Sequence, residues 1–279
     1  MTDTITLPRR TTIDDLDQGS EEWLAARRGI VTASIVGNLI TTRKLKPAEY
    51  DCPACHAPAN EPCVSKTKTG GSIKTLHPER GDVARKAGDE ATIFETADTD
   101  ISNSLTLALT AERITGWTED MYVSDDMLRG QLDEPKARDK YSECYAPVTE
   151  VGFMTFELPG VKLGYSPDGL VGEDGLIEIK SRRPKKHLKT ILSGQPPIEN
   201  IPQLQCGLLV SGRAWLDYVS WCGGMPMWRV RVYPDPRWFD AIIAAADTFE
   251  TNAATMIDAY NAGVDGFPVT ARELTEIRF

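Results

Sequence analysis

Three observations predict an α/β fold with a small cysteine-bearing insert. Residues 148–181 and 215–233 hold short alternating or β-branched apolar runs bounded by Gly and Pro. Segments on either side carry apolar residues at helical spacing. Residues 41–90 drop both periods and concentrate Cys, Gly, Pro and Lys. With 279 residues, 41% of them hydrophobic, the chain can bury one sizeable core, or a core plus a small module.

The net charge of −10 argues against an indiscriminate binder of polyanions, though it leaves room for a local basic surface. No apolar run reaches membrane-spanning length, and the N-terminal stretch MTDTITLPRRTTIDD lacks the apolar core of a signal peptide. The expected place is the cytoplasm, with no membrane partner.

Taken in order, residues 1–18 read as a polar leader with a disordered start, and residues 19–279 as the main domain. Ser20 is suited to N-cap a helix, with Glu21 and Glu22 in its first turn. Gly29 suits the end of that helix, and Thr32 or Ser34 a second N-cap before Ile35–Ile40.

The insert, residues 50–88, carries Cys52-Pro53-Ala54-Cys55, then Cys63 and His77. C-x2-C-x7-C-x13-H has the knuckle and return ligands of a structural zinc site, and these soft or borderline donors suit Zn²⁺. His56 adjoins Cys55 and is a less natural ligand. Cytosolic cysteines of this kind are not expected to be disulfides. So short a loop cannot bury its own core, so metal would supply its folding energy. Lys66, Lys68, Lys74, Arg80, Arg85 and Lys86 make it basic, which leaves contact with DNA and contact with protein equally open.

Residues 91–145 read as helical: Ser104–Gly116 with a Gly stop, then about Asp125–Tyr145, where Pro135 bends the helix or delays its start. Met127, Leu128, Leu132, Ala137 and Tyr141 are its core candidates. Val148–Leu163 reads as one or two strands with a turn at Pro159-Gly160, and Gly175–Lys180 as another strand. A helix over Ile198–Ser211 follows. Then come an antiparallel pair, Trp215–Trp221 with Met227–Tyr233 around Gly223-Gly224, and a long helix over Pro236–Asn261. Cys144, Cys206 and Cys222 are taken as core residues.

The chemistry concentrates in Leu163–Lys189. Asp168 lies in a Ser-Pro-Asp-Gly turn, Glu178 follows ten residues later and Lys180 two after that. On a strand, Glu178 and Lys180 share one face while Ile177 and Ile179 bury the other. Asp168 and Glu178 together would make a hard-cation site for Mg²⁺ or Mn²⁺. A lysine beside it can position or deprotonate a water for phosphodiester hydrolysis. The plainer alternative is a surface hairpin with solvated charges. Lys180, Arg182, Arg183, Lys185, Lys186 and Lys189 then form a run without an acid, either a track for phosphates or a solvated loop.

This stretch resembles the PD-(D/E)XK nuclease motif, and more closely the lambda-exonuclease or YqaJ-type viral recombinase family, where SPDG, a β-turn and E-x-K recur at this spacing. The N-terminal phrase W-L-x-x-R-x-G-x-x-T-A-S (Trp23–Ser34), R-G-x-x-x-E-x-x-A-R (Arg129–Arg138) and Q-x-Q (Gln203–Gln205) are similar to other segments of that family. The insert resembles a small zinc module of actinobacterial and phage proteins, with C-P-x-C, E-P-C and H-x-x-R.

The resemblance implies a restriction-endonuclease-like core, a mixed central sheet flanked by helices. It implies that Arg27, Ser34 and Ser166 hold a 5′ phosphate, with Arg28 as the substitute for Arg27. It places Glu134 at the metal site with Asp133 as fallback, gives the Ile179 carbonyl as a metal ligand, and sets Gln203, or secondarily Gln205, near the attacking water. Arg182 and Arg183 fall on the DNA track. The implied activity is a Mg²⁺-dependent 5′-to-3′ exonuclease on double-stranded DNA ends. It would leave 3′ single-stranded tails for an annealing recombinase in phage recombination, and the family forms a ring-shaped homotrimer. The alternatives are an endonuclease or a Cas4-like iron–sulphur nuclease of the same fold, or a catalytically silent zinc-bearing DNA-binding protein.

Overall fold

The computed structural model describes residues 7–65, 70–88, 92–119 and 123–272. The start of the leader, together with Lys66 and Lys68 of the insert, lies outside the described residues. In chain order the elements are β1 Arg9–Ile13, α1 Glu21–Arg27, β2 Val31–Thr32, β3 Ile40–Lys44, α2 Pro78–Lys86, β4 Thr92–Thr96, α3 Asp100–Thr115 and α4 Asp125–Cys144. There follow β5 Val148–Thr149, β6 Phe153–Leu158, β7 Val161–Tyr165, β8 Gly169–Val171, β9 Gly175–Ser181, α5 Pro184–Ser193, α6 Ile201–Ser211, β10 Trp215–Trp221, β11 Trp228–Val232 and α7 Pro236–Gly263.

Five strands form a mixed sheet in the order β11-β10-β9-β8-β5, in which only β10 and β9 run parallel. Four more form the sheet β1-β6-β7-β2, and β3 pairs with β4. β9 is buried on both faces, which explains its nearly continuous apolar run. Leu176 joins the core shared with α6 and α7, whereas Ile177 and Ile179 pack with Ala137 and Tyr141 of α4. The α/β class, the Pro159-Gly160 turn, the β10–β11 pair and the last helix are as the sequence predicts.

Several expectations are corrected. Arg9–Ile13 is not leader but an edge strand paired with β6. Thr32 lies in β2, and the short 3-10 turn Val36–Leu39 starts at Ile35 without a side-chain cap, so neither Thr32 nor Ser34 caps it. Residues 92–96 are a strand rather than helix, because the run Thr-Ile-Phe is paired by Ile40–Lys44, a partner remote in sequence. The next helix begins at Asp100, capped by Thr99. Pro135 neither ends α4 nor delays it, since Ser124 caps the helix eleven residues earlier and the Pro sits on its exposed side. Of the α4 core candidates, Ala137 and Tyr141 are buried, while Met127, Leu128 and Leu132 are exposed. Cys144 is exposed, whereas Cys206 and Cys222 are buried. The basic run after Arg183 is helical, with Pro184 at the first position of α5.

Candidate active site and metal centre

β8, β9, α4, α6 and the α1–β2 turn converge on one cleft of about 560 Å³, lined by Arg27, Ser34, Glu134, Ser166, Asp168, Glu178, Ile179, Lys180, Arg182, Arg183 and Gln203 among others. The period-two reading of β9 holds: the Lys180 ammonium donates to Glu178 Oε1 at 2.8 Å. Tyr165, at the end of β7, donates its hydroxyl to Glu178 Oε2 at 3.0 Å. Gln203, in the first turn of α6, donates to Glu178 Oε1 at 2.5 Å. Gln203 therefore steadies Glu178 and reaches Lys180 only through the shared oxygen. Gln205 is elsewhere, bridging the Tyr233 carbonyl and the Asp235 amide at 2.9 Å each.

Asp168 sits at the entry to β8, and its Oδ2 accepts the Ile179 amide at 2.6 Å. This bond ties the SPDG turn to β9 at the level of Glu178. Arg138 of α4 clamps the turn from behind, donating to the Asp168 carbonyl at 2.8 Å and to Glu134 Oε1 at 2.5 Å. Asp133 is engaged instead by Ser181 Oγ at 2.8 Å and by Lys136, so Glu134 is the acid that faces the cleft.

Burial, then the charges of Glu178 and Glu134, push the Asp168 carboxyl well above the usual range. Burial likewise raises Glu134, with Arg138 opposing. Burial works against the Lys180 charge, but Glu178 and Asp168 outweigh it and its pKa is raised. Three carboxylates thus face one cleft with Lys180 as their close ammonium, and further positive charge would relieve their repulsion. A hard divalent cation fits this oxygen donor set.

At one wall of the cleft, Arg27 Nη1 donates to Ser166 Oγ at 3.3 Å and Nη2 to Thr32 Oγ1 at 3.5 Å, and Thr32 Oγ1 lies 3.2 Å from Ser34 Oγ. Burial lowers the Arg27 guanidinium to about 10, with Glu112 opposing. Among the described residues no carboxylate forms an ion pair with Arg27, so its outward N–H groups suit an anion. Arg28 does not line the cleft, and its Nε is buried without a partner. Gly29, at φ +64°, is pinned between α1 and α3: its amide donates to Glu112 at 2.7 Å and its carbonyl accepts from Arg113 at 2.7 Å. Arg182 donates to the Tyr218 hydroxyl at 3.1 Å, and Arg183 pairs with Asp126 at 2.8 Å.

The second centre lies in the insert. The ligand atoms of Cys52, Cys55, Cys63 and His77 all lie within 4.8 Å of one another. Cys52 Sγ is 3.4 Å from His77 Nδ1. The Val64 amide donates to Cys55 Sγ at 3.4 Å, and chiefly through that bond the thiol is lowered to about 7. Three thiols and an imidazole in a closed tetrad fit Zn²⁺. His56 is not in the tetrad: at φ +57° it forms the knuckle turn, its amide bonded to the Cys52 carbonyl at 2.8 Å.

Trp23, Thr32, Arg138 and Tyr165 belong to the site but were not singled out from the sequence as site residues. Trp23, Thr32 and Arg138 lie inside the quoted phrases and Tyr165 precedes SPDG, so adjacency to a motif was the available signal.

A family model described as a YqaJ-like viral recombinase domain matches residues 84–214, and one described as a putative DNA-binding phage zinc finger domain matches residues 18–97. Among solved structures, an alkaline exonuclease from Laribacter hongkongensis is similar at 27% identity, covering 89% of this chain and all of that one with a TM-score of 0.61. The structure of that exonuclease with dAMP bound is similar to the same degree, at 27% identity, 89% and 100% coverage and a TM-score of 0.61. No curated protein is significantly similar in sequence. Among the described residues no helix is long and apolar enough to cross a membrane.

Proposed function

We propose that this protein is a phage-type exonuclease, metal-dependent, that digests double-stranded DNA from 5′ ends and leaves 3′ single-stranded tails for an annealing recombinase. One observation carries the reading. The Asp168–Glu178–Lys180 set and the Arg27–Thr32–Ser34–Ser166 cradle open into the same cleft. A cradle for a terminal phosphate beside a hydrolytic centre suits attack near a strand end.

Asp168, Glu178 and the Ile179 carbonyl would hold a Mg²⁺ or Mn²⁺ ion, and Glu134 would help to hold a second. Such an ion supplies Lewis-acid neutralisation of the charge that grows on the phosphorane and leaving oxygen. Lys180 directs the attacking water for in-line displacement. Gln203 and Tyr165 hold Glu178 in place. Arg27, Ser34 and Ser166 grip the 5′ phosphate, and Arg182 and Arg183 line the approach of the duplex. Zn²⁺ on Cys52, Cys55, Cys63 and His77 is structural. The nuclease unit includes β1 and carries residues 50–88 as the zinc insert. The protein acts in the host cytoplasm, as a trimer around its DNA.

The test is incubation of purified protein with 5′-phosphorylated linear duplex and with closed circular duplex, in Mg²⁺ or EDTA. Progressive shortening of linear DNA alone, abolished by EDTA, is the expected result. Cutting of circles would replace the reading with an endonuclease, and binding without hydrolysis with a silent DNA-binding protein. Brown protein containing iron would point to a cluster-bearing nuclease instead.

A further inference from the structure

Trp23 is a residue of the cleft that the reaction outlined above does not use. It lies on α1, one turn before Arg27. The Arg27 guanidinium stacks on its ring, 3.9 Å from the ring centroid. Its indole Nε1 donates to Ser166 Oγ at 3.0 Å, the oxygen that also accepts from Arg27 Nη1 at 3.3 Å. A serine hydroxyl has two acceptor lone pairs and one proton. Both lone pairs of Ser166 are taken by these donors. Among the described residues no acceptor takes its proton, so the O–H is left to donate into the cleft.

We propose that Trp23 is a positioning residue that makes the cradle selective for a terminal phosphate monoester. It does so in two ways. Its N–H, with Arg27, turns Ser166 into an obligate donor, so the hydroxyl bonds an anionic phosphate oxygen more strongly than the neutral oxygen of a terminal 5′ hydroxyl. Its ring keeps the Arg27 guanidinium planar against α1 and leaves the outward N–H groups for the anion. The α1–β2 turn holds this arrangement, because a Cβ at Gly29 would come within 2.4 Å of the Arg113 side chain that clamps it.

The inference rests on the proposed 5′-end reading and deepens it. The experiment compares kcat/KM on duplexes with 5′-phosphate and 5′-hydroxyl ends for wild type, Trp23→Phe, Ser166→Ala and the double variant. The ratio of the two substrates is taken on one preparation, so the fraction of folded protein cancels. Trp23→Phe keeps a ring for Arg27 and removes the N–H, and is expected to lower the phosphate preference by about tenfold, the worth of one charge-assisted hydrogen bond. Ser166→Ala should lower it at least as much. In the double variant Trp23→Phe should add little, because it acts through Ser166. An unchanged ratio in Trp23→Phe, or fully multiplicative losses in the double variant, would overturn the role of Trp23. A wild-type protein with no preference between the two ends would instead overturn the 5′-phosphate reading itself, and the two failures are distinguishable.

Discussion

Glu178 is held from three sides, by Tyr165, Lys180 and Gln203, and its neighbour Gln205 points the opposite way round α6. Two glutamines one residue apart on either side of Leu204 therefore have separable tasks. Gln203→Ala should lower kcat by about tenfold or more with an intact melting temperature, since it frees a group that orients an active-site carboxylate. Gln205→Ala should leave kcat unchanged and lower the melting temperature, because it unties the β11–α7 connection. Equal effects on both quantities from both variants would contradict the division. Lys180→Ala and Asp168→Ala should each lower cleavage by at least about 100-fold while circular dichroism stays native, and a fully active Lys180→Ala protein would remove that residue from the chemistry. A different residue governs stability. Asp217 is fully enclosed and accepts from Tyr141, Arg229 and Arg231 at 2.7–2.8 Å. Burial opposes its charge, but the bonds from Arg231 and Tyr141 outweigh this and hold the carboxyl below its usual range. A depressed folded pKa contributes stability above the unfolded value of about 4, and that contribution is lost as pH falls through the folded pKa. Asp217→Asn should therefore cost about 2–4 kcal/mol at pH 7, discounted for the partly exposed arginines. The cost should shrink as the pH is taken well below 4 in urea titrations, and a pH-independent difference would contradict the assignment.

At the scale of the element, the zinc insert shows how a segment without a core is held. Its buried apolar set is Cys52, Ala57 and Cys63, with only Ala54, Cys55 and Ile73 packed against it. Arg80 of α2 is wholly buried and donates to the carbonyls of Tyr50, Glu61, Ala48 and Pro58 at 2.6–2.9 Å, with Nη1 3.5 Å from Cys63 Sγ. No carboxylate faces this guanidinium among its bonded partners. Three thiolates on one Zn²⁺ carry a net negative charge, which makes the loaded tetrad its counter-ion. Metal analysis should find one tightly held zinc per chain, lost in Cys52→Ser. Arg80→Met should weaken retention of zinc against a chelator by about 10- to 100-fold, the usual penalty for removing an outer partner of a metal ligand. Unaltered retention would show that the carbonyl bonds serve the loop and not the metal.

At the scale of the whole molecule, a chain of net charge −10 places Arg183, Lys185, Lys186 and Lys189 between the N-cap and the middle of α5, beside the cleft. Arg183 and Lys186 have acidic partners, Asp126 and Glu199, at 2.8 and 3.1 Å. Lys185 and Lys189 form no ion pair among the described residues. Charge repulsion from the rest of the surface is screened beyond roughly 10 Å, so this patch can dominate at close range. Lys185→Ala with Lys189→Ala should raise KM for duplex DNA with little change in kcat. It should also reduce the slope of log KM against log salt by about 2, one unit per phosphate contact. An unchanged slope would mean that α5 does not face DNA.

Local pattern alone carried the parts of this protein whose partners are near in sequence. The alternation of β9 placed Glu178 and Lys180 on one face, because strand period is a property of the backbone. The Cys52, Cys55, Cys63 and His77 spacing named the zinc set, because a knuckle needs only a short turn. The β10–β11 hairpin and α7 were legible for the same reason. What folding had to supply are the contacts between distant segments. Arg9–Ile13 and Thr92–Thr96 became strands because β6 and β3 offered them hydrogen bonds, which short polar or mixed runs do not announce. Asp168 met Glu178 through the Ile179 amide, and Gln203 rather than Gln205 entered the site because α6 packs with Gln205 turned toward Tyr233. Trp23, more than 140 residues from Ser166 in the chain, became part of the same cradle. Such convergence depends on how helices seat against both faces of a sheet, and no stretch of sequence encodes that geometry locally.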